Sequence, residues 1–203
     1  MRLILIRHGE TLWNAIHRFQ GISDIELSPK GMTQARLLAA SLKGEGFSAI
    51  YSSPLKRARQ TAEIIAEYHD CPLIVEEGLK EINQGKLEGL TGEDLRRDFP
   101  DFFKSWMEDP GRVPLPQGES LGEVQKRAWS AIERMARKNT GATVLAVAHS
   151  FVNLTIICRI LELPLNQLRR LRQDATAKNV IEFSDRGAVL RCFNDTCHLA
   201  ENS

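Results

Sequence analysis

Residues 3–8 read LILIRH and residues 144–149 read VLAVAH. A short, near-continuous apolar run that stops on a histidine fits few architectures. A strand with one wet face alternates apolar and polar residues, whereas a central strand covered on both faces is apolar throughout. Helices must then cover both faces, so the two runs point to an α/β fold built on a largely parallel sheet.

The segments between them alternate as such a fold requires. In LSPKGMTQARLLAASLKGEG, Ser28 is placed to cap a helix and Pro29 to begin it. Met32, Ala35, Leu38, Ala39 and Leu42 recur at helical spacing, and Gly44 and Gly46 stop the pattern. SAIYSS reads as a second strand and PLIVEE as a third. Between them, Ser53 as cap and Pro54 as first residue predict a helix with Leu55, Ala58, Ala62, Ile65 and Ala66 on its apolar stripe. Ser120 and Glu123 form a capping box before another helix, and FVNLTIICRILEL reads as a buried helix ended near Pro164. NVIEFSDRGAVLRCF reads as a hairpin that turns at Asp185–Gly187. The pattern changes around 85–120, where short helical pieces lie between Pro and Gly breaks. The expectation is a single domain over 1–203, with this helical insertion packed over one end of the sheet and capping the site.

Bulk composition excludes several classes. The 203 residues are 42% apolar and 26% charged with net charge +1, so neither nucleic acid nor an anionic membrane is an expected partner. The first apolar run is too short for a signal-peptide core or a spanning helix, and a cytoplasmic location is expected. Cys71, Cys158, Cys192 and Cys197 make no close CxxC pair. CFNDTCH, with Cys192, Cys197 and His198, has a spacing wider than a zinc knuckle and lacks a second ligand pair, so no metal is assigned.

Ligands of open α/β sheets bind beyond the carboxyl ends of the strands. Arg7, His8 and His149 all fall there. LKRAR places Lys56, Arg57 and Arg59 in or near the first turn of a helix, where the partial positive charge of the N-terminus disfavours cations. An anion bound at that helix start resolves the conflict for at least one of them, and the guanidinium fork suits phosphate.

LIRHGETLWN, FQGISDIELSPKGMTQA, IYSSPLKRARQTAE, EINQGKLEG and VAHS, in that order over nearly the whole chain, resemble the histidine phosphatase superfamily. The resemblance implies a three-layer, phosphoglycerate mutase-like sandwich. It implies His8 as the nucleophile that takes a phosphoryl group, and Arg7, Arg57 and His149 around the phosphate. Glu81 becomes the acid that protonates the leaving oxygen and then the base that activates water. Asn14, Gln20 and Gly21 help hold the phosphate oxygens. So does Ser150, which stands where relatives often carry glycine. The chemistry suits these types. Phosphoryl transfer needs positioning and charge stabilisation, which two arginines and a second imidazole supply without a metal or other cofactor. A hydrogen bond between His8 and the Gly9 carbonyl would set the tautomer of the nucleophile, and a glycine there lets backbone approach closely.

Each assignment has a bland alternative. Asn14 can simply cap a turn, Glu10, Glu76, Glu77 and Glu88 are surface candidates, and His17, His69 and His198 are exposed or structural by expectation. Family mutases carry a tyrosine, a lysine and an arginine pair where this chain has Gln84, Gly92, Met107 and Glu108. That departure favours a phosphomonoester phosphatase acting on a small phosphorylated metabolite over a phosphoglycerate mutase. A non-catalytic phospholigand-binding protein ranks last, because His8 and Glu81 are both retained. Asn83 replaces a common aspartate, and NDTCHL is similar to a stretch in some phosphoserine phosphatases of the family. The resemblance also implies a homodimer.

Overall fold

The computed structural model describes residues 1–202. The first apolar run forms β1 (Arg2–Arg7), followed by α1 (Leu12–Ala15), α2 (Pro29–Leu42), β2 (Phe47–Ser52), α3 (Lys56–Ala66) and β3 (Leu73–Val75). Next come α4 (Gly92–Asp98), α5 (Pro100–Glu108), α6 (Leu121–Lys138), β4 (Thr143–Ala148), α7 (Ser150–Ile160), β5 (Lys178–Ser184) and β6 (Gly187–Asp195). The six strands make one sheet in the order β3-β2-β4-β1-β5-β6. β1 to β4 run parallel, and β5 joins β1 antiparallel. The carboxyl ends of β1, β2 and β4 therefore share one edge, which brings Arg7, His8, Ser53 and His149 together.

Strand side chains alternate between faces, and both faces are apolar. Leu3, Leu5, Val144 and Ala146 pack with α6 and α7, while Ile4, Ile6, Leu145 and Val147 pack with α2 and α3. The result is a three-layer α/β sandwich, as the two opening runs require. Ser28 accepts the Gly31 N–H as cap of α2, and Ser120 and Glu123 form the capping box of α6. Ile132 of α6 is fully buried. We expect Ile132→Ala to cost about 2–5 kcal/mol in denaturant unfolding, through lost transfer energy and a cavity.

Three boundaries differ from the sequence reading. β3 covers only Leu73–Val75 and is exposed, because it is an edge strand paired on one side. α7 stops at Ile160 and Glu162 takes a left-handed φ of 54°, so the chain turns before Pro164. α3 begins at Lys56 with Leu55 as N-cap, and Ser53 does not cap it. The Ser53 hydroxyl accepts the Leu55 N–H at 3.3 Å, ahead of the first turn, and lies 2.7 Å from His149 Nε2. Arg57 still lies in the first turn. Around 85–120, α4 and α5 send Leu95, Phe102 and Trp106 toward Phe19 and Phe151 beside the strand ends. Among the described residues no helix is long and apolar enough to cross a membrane.

Candidate active site

His8 follows β1, its backbone N–H donating to Ala148 of β4 at 3.1 Å. Its ring is buried, at 3% exposure. Nδ1 lies 2.6 Å from the Gly9 carbonyl oxygen, which can only accept, so Nδ1 carries the proton. Nε2 accepts the Arg57 Nε–H at 3.2 Å, which requires a lone pair there. Two independent contacts thus select the same tautomer. Burial holds the His8 pKa well below the usual histidine value, and the positive charges of Arg57 and Arg7 depress it further. The ring is a neutral imidazole with its lone pair toward Arg57. Gly9 is required for the close approach: a Cβ would lie 2.6 Å from the Gly31 carbonyl oxygen.

Arg57 is 1% exposed. It donates to the carbonyls of Ser23 and Gly21, both at 2.8 Å, and burial lowers its pKa to about 10. Arg7 donates to the Gln173 carbonyl, and its Nε is buried without a partner. Both guanidinium groups direct these bonds to neutral carbonyls and an imidazole, so two charges face the strand ends with no carboxylate clamped to either. His149 lies behind His8 with ring centroids 5.0 Å apart. Its Nε2 is 2.7 Å from Ser53 Oγ and its Nδ1 has no partner. Burial holds this ring neutral too.

Glu81 enters from the segment after β3. Its Oε1 accepts the Ile82 N–H at 2.9 Å and its Oε2 the Phe151 N–H at 3.4 Å. Burial raises its pKa, outweighing those bonds and the nearby Arg57 and Arg7. The arrangement can therefore offer a nucleophilic nitrogen, two cations for an anion and a carboxyl whose hold on a proton is strengthened by burial, in one place.

A cavity of about 180 Å3 unites these groups. All the site residues picked from sequence line it except His149, which is fully buried against His8. Asn14 caps a turn: Oδ1 accepts the Thr11 N–H at 3.1 Å to complete the capping box of α1. The residue also lines the cavity. Arg18, Phe19, Gln84 and Phe151 complete the lining and were not picked. A wider mouth of about 780 Å3 continues past Arg7, Asn14, Arg18 and Phe19 to two ion pairs, Lys30–Glu10 at 3.0 Å and Arg172–Asp174 at 2.8 Å.

Glu88 corrects the surface reading. It accepts N–H bonds from Ile22 at 2.8 Å and Ser23 at 2.9 Å, and the Ser23 hydroxyl. It thereby pins the loop whose carbonyls grip Arg57. An amide offers one accepting oxygen, so we expect Glu88→Gln to lose roughly 10–100-fold in kcat/KM, from about 1.5–3 kcal/mol of charge-assisted bonding. Steady-state kinetics with an unchanged circular dichroism spectrum check this. Glu10 and Glu76 pair with Lys30 and Arg134 near the surface, and Glu77 is exposed.

His17 is exposed, His69 packs its ring 4.6 Å from Phe47, and His198 contacts Thr176 Oγ1 at 3.0 Å. Burial lowers the His198 pKa to about 4. Cys192 and Cys197 are free thiols, and among the described residues no group of three His, Cys, Asp or Glu is placed to hold a metal.

Residues 3–196 match the model of the histidine phosphatase superfamily, branch 1. The chain belongs to this superfamily. Its relatives include phosphoserine phosphatase 1 of Hydrogenobacter thermophilus, 36% identical over 99% of this chain and 95% of that protein. A probable phosphoglycerate mutase of Yersinia pestis is 32% identical over 98% of this chain and 95% of that protein. A mutant phosphoserine phosphatase from Entamoeba histolytica, solved with phosphoserine, superposes with a TM-score of 0.87. It is 36% identical, and the match covers 98% of each chain.

Proposed function

We propose that this chain is a metal-independent phosphomonoester phosphatase that works through a phosphohistidine on His8. The observation that carries this reading is the opposed tuning of two buried groups. His8 is held neutral with a lone pair on Nε2 that meets only the Arg57 Nε–H, while Glu81 is pushed toward its protonated form in the same cavity. The two shifts run toward an unprotonated imidazole and a protonated carboxyl, the forms a nucleophile and an acid need at one pH.

The steps follow. The phosphoryl group enters between Arg57 and Arg7, whose remaining N–H donors meet the equatorial oxygens where charge collects. With the Ser53 hydroxyl donating to Nε2 of His149, the unpartnered Nδ1–H of that ring serves another oxygen. His8 Nε2 attacks phosphorus, the bond to the leaving oxygen breaks, and Glu81 gives that oxygen its proton. The alcohol departs. The Glu81 carboxylate then takes a proton from water, the water oxygen attacks phosphorus, and the P–N bond breaks with its electron pair returning to Nε2. Inorganic phosphate leaves, and both groups are restored. The Gly9 carbonyl accepts from Nδ1 throughout, which steadies the ring as positive charge develops on it.

The substrate we favour is a small alkyl phosphate of the phosphoserine class, supported by the Hydrogenobacter and Entamoeba relatives. Free thiols at all four cysteines suit the reducing cytoplasm we assign to it. The test is a panel of phosphoserine, α-ribazole phosphate, 3-phosphoglycerate and p-nitrophenyl phosphate in the presence of EDTA. Hydrolysis with EDTA present supports the reading, and tight binding without turnover of any ester rejects it.

The Yersinia relative favours a second reading, a phosphoglycerate mutase. Against it, Gln84 lines the cavity, while Met107 and Glu108 lie outside both chambers. No cation of theirs meets a glycerate carboxylate. Primer-dependent interconversion of phosphoglycerates faster than hydrolysis would reverse this ranking.

A further inference from the structure

Glu81 stands on irregular backbone. It lies between the 3-10 turns Glu77–Leu79 and Gly85–Leu87, outside every strand and α-helix. A proton donor must nevertheless hold its carboxyl within hydrogen-bond reach of one oxygen. A side chain from α6 bonds that backbone at three carbonyls. Arg127 donates from Nη1 to the carbonyls of Gly78, at 3.0 Å, and Lys80, and from Nη2 to the carbonyl of Glu81 itself at 3.0 Å. Its other edge pairs with Glu119 through two bonds of 2.8 and 3.0 Å. Glu119 in turn accepts the Asn83 N–H at 2.8 Å and returns its own backbone N–H to the Asn83 carbonyl at 2.9 Å. Gly118 permits this approach, since a Cβ there would lie 2.2 Å from the Asn83 oxygen. The carbonyls before and at Glu81 and the amide two residues after it thus converge on one ion pair. Neither Arg127 nor Glu119 lines the cavity.

We propose that the Arg127–Glu119 pair is the positioning device for Glu81, fixing where its carboxyl delivers the proton. This rests on the reading of Glu81 as the acid. A guanidinium is needed because only a planar fork reaches carbonyls on one edge and a carboxylate on the other.

The experiment compares single-turnover phosphoryl transfer to the enzyme from phosphoserine, whose alkoxide needs a proton to leave, and from p-nitrophenyl phosphate, whose phenolate does not. Arg127→Met is expected to slow transfer from phosphoserine roughly 100-fold, the scale of an ångström of misplacement, and to slow the p-nitrophenyl ester far less. The loss should vanish when Arg127→Met is added to Glu81→Gln, because a residue acting through Glu81 has nothing left to position. Equal losses on both esters, or a full further loss in the double variant, overturn the proposal and leave the assignment of Glu81 standing. No loss in Glu81→Gln alone overturns the functional reading and the proposal with it. Should Arg127→Met not fold, Glu119→Gln keeps the shape, loosens the same pair and goes through the same cycle with the same two outcomes.

Discussion

His8→Ala is expected to lower kcat for phosphomonoesters by about 10^4-fold or more, because His8 is the one imidazole lining the cavity and the proposed course depends on that covalent step. The ring is buried and its two nitrogens bond to Gly9 and Arg57, so the variant also leaves an Arg57 donor unpaired. That costs roughly 1–3 kcal/mol, small enough for the sandwich to persist. Kinetics beside a thermal melt separate the two effects: a folded variant with wild-type turnover would end the covalent account. The same residue sets a pH dependence. Its folded pKa is depressed, by burial first and by Arg57 and Arg7 next. The native ring therefore stays unprotonated as pH falls through about 6.5, where the unfolded chain takes up a proton. Nucleophilicity should persist below that pH. His149 shares the depression, so stability should be full above this range and decline as pH drops through it.

Glu81→Gln is the second large effect. General acid catalysis contributes about 10^2–10^4-fold, and the amide cannot supply the proton. The loss should be greatest for alkyl phosphates and smaller for p-nitrophenyl phosphate. The sign with pH follows from the raised carboxyl, which burial drives upward against the Ile82 N–H, Arg57, the Phe151 N–H and Arg7. As pH rises through that raised pKa the carboxyl ionises and can no longer donate, so kcat for an alkyl ester falls on the alkaline side. Glu81→Gln should abolish that limb while lowering the plateau. A wild-type profile retained in the variant would assign the limb to another group.

The chain's own pattern made much of this visible. Leu3–Ile6 and Val144–Ala148 are apolar at every position because both faces of the sheet are covered, and strand-end polar residues then had one place to meet. Ordered motifs carried Arg57 and Glu81 into that place. What periodicity does not report is which distant side chains converge on a loop. Glu88 reads as one more surface carboxylate until the fold sets it against Ile22 and Ser23. Arg127 sits on α6 with ordinary helical spacing, and its bonds to Gly78, Lys80 and Glu81 exist only in three dimensions. Ser53 looked like a helix cap because serine before proline usually is one. Its hydroxyl meets the Leu55 N–H, short of the first turn, and also His149, a distant partner no local rule foresees. Arg18, Phe19 and Phe151 line the cavity from two separate segments, and no local pattern marked them.

The central claim is that the phosphoryl group pauses on Nε2 of His8. The stereochemical course at phosphorus tests it without any variant. Each in-line displacement inverts the centre, so transfer to His8 followed by transfer to water restores it. Hydrolysis of an ester made chiral at phosphorus with oxygen isotopes and sulfur should give phosphorothioate with net retention; inversion would mean that water attacks the ester directly and would contradict the account.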